Sequence, residues 1–238
     1  MAHRKDRKEA LRLERERREA EARAVRQRKR LVGYGAASLI AIAAIVVLVV
    51  LVTGGGDGEG AAQGGGDVFP DGRSVPKQSE FELRPAAEAA GCKLTDSRAT
   101  SREHTTDINQ RVKYKDNPPT SGRHYEIPAE DGLYQEAPPD VALVHAMEHG
   151  RVIVWVKPDL PEEARQQIRA LFDEDSYQML VVPRRNMPYA VAATAWNRDP
   201  TPNGTGRTLG CPQWNEDVID AIRTFRDEHR SNGPEPVP

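Results

Sequence analysis

The chain of 238 residues has only two cysteines and few aromatic side chains. Two cysteines are too few for a disulfide framework or a four-cysteine zinc site. The sequence also has no C-x-x-C pair, which argues against a thiol redox centre. It has no glycine-rich phosphate loop and no dinucleotide-binding motif. The strong apolar runs of its C-terminal part nevertheless exclude a wholly disordered chain.

Charge is segregated along the sequence, although the formal net charge is only -2. Residues 1–30 contain 13 Lys and Arg against 6 Asp and Glu, so this tail is strongly basic and the remainder is acidic. The tail predicts contact with anionic membrane lipid. The alternative is a charged tail that only sets the orientation in the membrane. A basic arm alone does not predict a nucleic-acid partner, and no feature predicts a particular protein partner.

One apolar run, residues 31–52, has 22 residues without a charge or a proline. As a helix rising about 1.5 Å per residue it spans a hydrocarbon core of about 30 Å. The main alternative is a cleaved signal peptide, but its apolar region is shorter, about 7–15 residues. We therefore predict a single-pass cell-membrane protein with an uncleaved anchor. Basic residues directly before the span place the N-terminus in the cytoplasm and the C-terminal part outside.

The rest of the chain divides by composition. Residues 53–74 are predicted to be a flexible linker, because 8 of the 13 residues in 54–66 are glycine and such a segment cannot bury a core. Residues 75–230 suffice for one extracytoplasmic domain with one core. Residues 231–238 are predicted to be a loose C-terminus.

The domain is predicted to be α+β, with a mixed sheet and two packed helices. Residues 67–140 are rich in Pro, Gly and Asp, which predicts long loops with short strands, one of them around 111–114. Apolar runs and amphipathic periodicity predict the later elements. The strands are 151–157, 177–183 and 189–196, and the packed helices are 161–173 and 216–229. The helix between the first two strands implies that they are parallel.

Two structures compete for residues 141–157. A short helix over 141–149 would place His145, Glu148 and His149 on one face. A hairpin would point Glu148 away from both histidines. We favour the helix, which has suitable residues at its two ends: Asp140 as the cap and Gly150 after the last turn.

Cys92 and Cys211 are predicted to form a disulfide, because thiols outside the cytoplasm tend to be oxidised. The closed loop of about 120 residues gives roughly 5 kcal/mol of stabilisation in the chain-entropy model, as an upper figure. The alternatives are a pair of soft-metal ligands and a redox couple.

Four of the six histidines lie close together in the sequence, and two of them form an H-x-x-E-H pattern. Imidazoles one helical turn apart can reach one metal ion, and the carboxylate between them can be a ligand or a general base. The candidate metal ligands are His104, His124, His145, Glu148 and His149, and the candidate ions are zinc and copper. The alternative is that these histidines make ordinary hydrogen bonds around the loops.

Other chemistry has weaker signals. H-x-x-E-H occurs in inverzincin peptidases, but their helix is longer than the one predicted here. Met147, Met179 and Met187 would suit Cu(I) if they converged on the imidazoles, although methionine usually fills core gaps. Ser121 and His124 could be a nucleophile and its base.

Two long motifs resemble a bacterial family, the domain of unknown function 3105. The first motif runs from Tyr114 through Pro118-Pro119-Thr120-Ser121-Gly122 to His124 and Tyr125. The second comprises Gly132, Tyr134 and residues 144–152, and shorter matches follow at 181–184 and 193–196. The resemblance covers roughly residues 75–230 and implies the same layout of tail, single span and domain. It implies little about activity, and it makes His124, His145, Glu148 and His149 the positions to test.

These observations lead to three hypotheses. The first is a metal-binding module at the cell surface, and we favour it. The second is an envelope module that binds proteins or has a structural role without metal. A hydrolase is third, because no catalytic residue can be assigned, and we favour a protein that is not an enzyme.

Overall fold

The computed structural model describes residues 67–235. The predicted tail, the predicted membrane span and the first part of the predicted linker lie outside this range, as do residues 236–238. Within the described range, every helix is too short or too polar to cross a bilayer.

The fold is α+β, with a six-stranded mixed sheet, a separate two-stranded sheet and four helices within residues 67–235. The helices are α1 (Leu83–Ala89), α2 (Asp140–Glu148), α3 (Glu162–Glu174) and α4 (Asp217–His229). The strands are β1 (Lys93–Arg98), β2 (His104–Thr105), β3 (His124–Tyr125), β4 (Gly132–Leu133), β5 (Val152–Val156), β6 (Met179–Pro183), β7 (Val191–Asn197) and β8 (Thr205–Cys211).

The large sheet has the order β1-β8-β7-β5-β6-β4. β6 is parallel to both β4 and β5, whereas β1, β8, β7 and β5 pair in antiparallel fashion. The parallel pairing of β5 with β6 confirms the prediction from the intervening helix. The small sheet pairs β2 with β3 in parallel.

Side chains alternate between the two faces of the large sheet, as the strand period of two requires. Val152, Val154 and Val156 of β5 pack into one core with α1, α3 and α4. Ile153 and Trp155 face the opposite way, into a second core with α2. The Trp155 N–H donates to Thr194 Oγ1 (2.7 Å), and the Trp196 N–H donates to the Asn203 carbonyl (2.7 Å). Both tryptophans are therefore buried with a bonded N–H.

Several predicted elements need correction. Two packed helices and the short helix over 141–149 were expected, and within residues 67–235 there is a fourth, α1. Residues 111–114 were expected to form a strand and have no regular structure. Asp140 was expected to cap α2, but it lies in the first turn and its carboxylate accepts from the Arg184 guanidinium at 2.7 and 3.1 Å. The physical reason is that Arg184, far away in sequence, offers a charged and bidentate donor.

Both boundaries of the domain also differ from the prediction. Phe69, in the predicted linker, is fully buried, and Arg169 donates to its carbonyl oxygen at 3.1 Å. Residues 231–235 of the predicted loose C-terminus lie against the end of α2. There the Ser231 N–H donates to Gly150 O (2.8 Å) and the Glu235 N–H donates to Glu148 O (3.1 Å). The buried Phe69 ring thus extends the folded domain at its N-terminal end, and the backbone hydrogen bonds of residues 231–235 extend it at its C-terminal end.

Cys92 and Cys211 are bonded, with their sulfur atoms 2.04 Å apart. The bond joins the residue before β1 to the last residue of β8, and these two strands are paired neighbours. It agrees with the predicted pair and is typical of proteins outside the cytoplasm.

Candidate metal centre

Helix α2 ends in a defined turn that fixes the position of its last residues. Gly150 has a φ of 86°, which favours glycine because it has no Cβ. The N–H groups of Gly150 and Arg151 donate to the carbonyls of Met147 and Ala146, at 2.9 and 3.2 Å. This pair of bonds is a Schellman motif. The helix, rather than the hairpin, is therefore correct, and its last turns present three candidate ligands: His145, Glu148 and His149.

The remaining two histidines come from the small parallel sheet. Its register places His104 of β2 directly beside His124 of β3, and β3 packs against α2. As a result, the His124 and His145 ring centroids are 4.8 Å apart, and those of His104 and His145 are 5.0 Å apart. All five residues predicted from the sequence thus lie in one cluster.

Backbone carbonyls fix the orientation of two of the rings. His124 Nδ1 lies 2.7 Å from the Gly122 carbonyl oxygen, and His145 Nδ1 lies 2.5 Å from that of Tyr125. A carbonyl can only accept, so the proton of each neutral ring is on Nδ1 and the lone pair is on Nε2. A carbonyl on the second ring nitrogen is the usual arrangement behind a metal-bound histidine.

Glu148 lies between these rings and is fully buried. Arg102 Nε donates to its Oε1 at 2.6 Å, and a second nitrogen of Arg102 is 3.5 Å from a carboxylate oxygen of Glu235. The other carboxylate oxygen, Oε2, lies 2.8 Å from His124 Nε2 and 3.6 Å from His104 Nε2. Arg102 therefore holds one oxygen and leaves the other directed at the histidines.

Two buried atoms of the cluster lack a hydrogen-bond partner within the described residues, namely His124 Nε2 and Glu148 Oε2. If the only proton of His124 is on Nδ1, both atoms present lone pairs, and at 2.8 Å the contact is repulsive until a proton or a cation is shared between them. A buried polar atom without a partner costs about 1–3 kcal/mol. A proton on His124 Nε2 would satisfy both atoms, and so would a metal ion bound by both.

The electrostatics of the cluster favour ligands that are already deprotonated. Burial, together with the neighbouring rings of His124, His149 and His104, lowers the pKa of His145 to about 4, although its bond to Tyr125 acts in the opposite direction. Burial, followed by the positive charge of Arg151, also lowers the pKa of His149.

Glu148 is held in its ionised form. Burial alone would raise its pKa, but the contacts with His124 and Arg102 outweigh that effect and lower the pKa to about 2. Neutral imidazole and ionised carboxylate are the forms that bind metal.

The donor atoms are spaced almost as a metal site requires. One atom from each of His104, His124, His145 and Glu148 lies within 4.8 Å of the others. In a tetrahedral site with bonds of about 2.0–2.1 Å, the donors are roughly 3.3 Å apart. The longer separations would have to shorten and the 2.8 Å between His124 Nε2 and Glu148 Oε2 would have to lengthen. His104, whose side chain is 43% exposed, is the ligand with most room to move.

His149 lies at the edge of the cluster, where its Nε2 is 2.9 Å from His145 Nε2. It can therefore donate a hydrogen bond to His145 or replace a ligand. Behind the rings the site is apolar: the Trp196 ring lies edge-on to His124, 5.7 Å away, and Met147 is buried below. An apolar surround limits access of solvent to the ligands.

Other sequence predictions for the site are wrong or incomplete. Met179 lies in the core beneath α1, α3 and α4, on the opposite side of the sheet from Met147 and Met187, so the methionines do not converge on the imidazoles. Ser121 does not bond His124, because the ring directs Nδ1 to the Gly122 carbonyl and Nε2 to the Glu148 carboxylate. α2 also has only 9 residues, unlike the helix of an inverzincin peptidase. Sequence reasoning missed Arg102, which lies in a loop and has no periodic or motif signal.

The chain matches a protein family described as Protein of unknown function (DUF3105) over residues 105–237, which is more than half of its length. The chain belongs to this family. The DUF3105 match includes four of the five clustered residues and begins one residue after His104. Neither the curated proteins nor the solved structures contain a match to this chain.

Proposed function

We propose that the domain binds one transition-metal ion, zinc or copper, outside the cytoplasm. The ligands are Nε2 of His104, His124 and His145 together with Oε2 of Glu148. His149 lies at the edge of the cluster, where it can replace one of them. The observation that carries the proposal is the pair of buried, unpartnered atoms, His124 Nε2 and Glu148 Oε2, which face each other inside a ring of imidazoles. Imidazole nitrogen and carboxylate oxygen suit both ions.

The surroundings support metal binding more than hydrolysis. A general base must reach the proton that it removes, but Glu148 is fully buried and Arg102 holds one of its oxygens. The metal would supply a Lewis acid if a position beside His104 stayed open. Arg102 keeps the Glu148 carboxylate in place, and the Gly122 and Tyr125 carbonyls keep two rings in the required tautomer.

The test is metal content and melting temperature of the full-length protein, purified in detergent, stripped with a chelator and reloaded with zinc or copper. The unmodified protein should retain about one equivalent of metal after dialysis and melt at a higher temperature than the stripped form. His124→Ala/His145→Ala and Glu148→Gln should lose most of that metal. The matched control is His229→Gln, which removes a histidine outside the cluster and should keep it.

Two results would overturn the proposal. One is a stripped protein that takes up no metal and whose melting temperature is unaffected by zinc or copper. The other is equal metal content in the control and in the cluster variants, because the metal would then be held elsewhere. Either result would leave the metal-free interaction module as the better hypothesis.

A further inference from the structure

A second concave site lies beside the metal cluster. It is a cavity of about 340 Å³ formed by three segments, 97–103, 112–116 and 121–123. One wall is continuous with the cluster, because the Gly122 carbonyl on this wall accepts from His124 Nδ1. The Tyr114 hydroxyl donates to the Arg123 carbonyl at 2.8 Å and so joins two of the segments.

Positive charge dominates the lining of this cavity. Four basic residues line it, and all of them are exposed: Arg98, Lys113, Lys115 and Arg123. Lys113 and Lys115 are both exposed, whereas Val112 and Tyr114, which alternate with them, are partly buried. The lining thus brings together four cations from segments that are separate in sequence.

Neither acid of the lining forms an ion pair with these cations within residues 67–235, and the lining keeps a formal excess of two positive charges, four basic residues against two acidic ones. Asp116 accepts a hydrogen bond from Thr120 Oγ1 at 2.7 Å. Glu103, the other lining acid, forms no ion pair within residues 67–235. Elsewhere in the domain arginines are typically paired, as Arg207 is with Asp96 and Arg151 with Asp131. None of the four cavity cations has such a partner among the described residues.

Hydroxyl groups accompany the cations. Ser97, Ser101 and Ser121 line the same space, and a hydroxyl can donate to an anion that lysine and arginine attract. Unpaired cations around a concave surface focus the electrostatic potential and raise the local concentration of anions. Lysine and arginine with hydroxyl donors form the common protein environment for phosphate groups.

We propose that this cavity binds a small phosphate-bearing anion. The phosphate oxygens accept hydrogen bonds from the ammonium groups of Lys113 and Lys115 and from the guanidinium groups of Arg98 and Arg123. The proposal does not require a metal ion, because every group that it uses belongs to the chain. A bound anion would nevertheless lie beside the peptide that orients His124.

The experiment is calorimetric titration of the chelator-treated full-length protein with inorganic phosphate at low salt. The variant is Lys113→Gln/Lys115→Gln, and the matched control is Lys77→Gln/Lys93→Gln, which removes the same charge from exposed lysines outside the cavity. We expect saturable binding by the unmodified protein and the control. The cavity variant should bind roughly tenfold more weakly, since two charge contacts are lost.

A second titration identifies the source of the phosphate. Glycerophosphoglycerol, a phosphodiester lipid headgroup without its chains, is compared with inorganic phosphate. Tighter binding of the diester indicates a lipid headgroup, and tighter binding of inorganic phosphate indicates a soluble ligand. His124→Ala/His145→Ala should bind phosphate normally, which separates this site from the metal cluster. Absence of saturable binding, or an equal loss in the lysine control, would overturn the proposal.

Discussion

The two faces of the large sheet are covered in different ways. Three helices, α1, α3 and α4, cover one face, and the core beneath them is apolar. The other face is covered by one helix, α2, and by the loops and short strands that carry His104 and His124. The disulfide lies with the first face, because Cys211 is part of that core.

One face of the sheet therefore contributes mainly to the stability of the fold, and the other carries the polar groups of the candidate site. Regular helices satisfy their own backbone and bury apolar side chains, so the helix-covered face can be stable without unusual residues. Loops held on a rigid scaffold can bring together polar groups from distant parts of the chain. The candidate metal ligands all lie on the loop-covered side. Changes to the two faces should therefore have different effects.

The largest expected effect comes from the disulfide. Cys92→Ala/Cys211→Ala should lower the free energy of unfolding by about 2–5 kcal/mol, because the bond closes a very long loop. Zinc affinity of the remaining folded protein should change little, since the bond lies on the helix-covered side. Urea unfolding and zinc titration of the same samples measure the two quantities. A parallel loss of zinc affinity would show that the two faces are not independent.

The next effect concerns His229, a histidine at the end of α4. Burial, followed by the nearby charge of Arg207, lowers its pKa to about 4, while Asp96 acts in the opposite direction. The unfolded chain therefore takes up a proton between about pH 6.5 and pH 4 that the folded protein does not. The free energy of unfolding should therefore be highest above pH 6.5 and should decrease by at most about 3 kcal/mol as the pH is lowered to 4.

His229→Gln isolates this contribution. The variant should lose less stability than the unmodified protein between these pH values, as measured by urea unfolding at several pH values in metal-free buffer. Identical pH profiles for the two proteins would show that His229 is not held neutral. The comparison also tests whether the helix-covered face, like the cluster, keeps a histidine uncharged.

Metal should stabilise the loop-covered face. At a free zinc concentration of about 100 times its Kd, binding adds about 2.7 kcal/mol to the free energy of unfolding. Glu148→Gln should remove most of this gain and leave the helix-covered core intact. Thermal unfolding with and without zinc measures the difference. An equal zinc-dependent gain in Glu148→Gln would contradict the assigned ligand set.

The same contrast explains how much could be predicted from the sequence. α3 and α4 were predicted to within one residue at each end, because their apolar residues repeat with the helical period. α1 was missed because it has only 7 residues and buries mostly alanine. β1 was missed because it is largely exposed and polar, and its structure depends on pairing with β8.

β8 gave no strand signal because glycine lowers strand propensity. The structure explains the glycines by close approach: a Cβ at Gly206 would overlap the Thr120 side chain, and one at Gly210 would overlap the Tyr189 ring. Contacts between residues so distant in sequence cannot be inferred from local pattern.

The candidate site was predicted better than the loops that build it. The spacing of His145, Glu148 and His149 was enough to place them together once a helix was assumed. His104 and His124 could be proposed only from their residue type, because their positions depend on two-residue strands. Arg102 and the carbonyls that orient the rings were not predictable, since their roles depend on tertiary contacts.

The smallest expected effect comes from Thr194, which lies between the sheet and α2. Its hydroxyl accepts from the Trp155 N–H at 2.7 Å and donates to Met147 Sδ at 3.2 Å. Thr194→Val keeps the shape but leaves the indole N–H without its partner, which should cost about 1–2 kcal/mol of unfolding free energy. Thr194→Ser is the matched control, because it keeps the hydroxyl.

Met147 directly precedes Glu148, so this bond also anchors the part of α2 that carries the site. We therefore expect Thr194→Val to weaken zinc binding slightly, whereas Thr194→Ser should bind zinc as tightly as the unmodified protein. Zinc titration of the two variants at a temperature where both are folded gives the comparison. If Thr194→Val lost stability but bound zinc normally, the position of the ligands would depend on the Schellman turn and on residues 231–235 rather than on the core beneath α2.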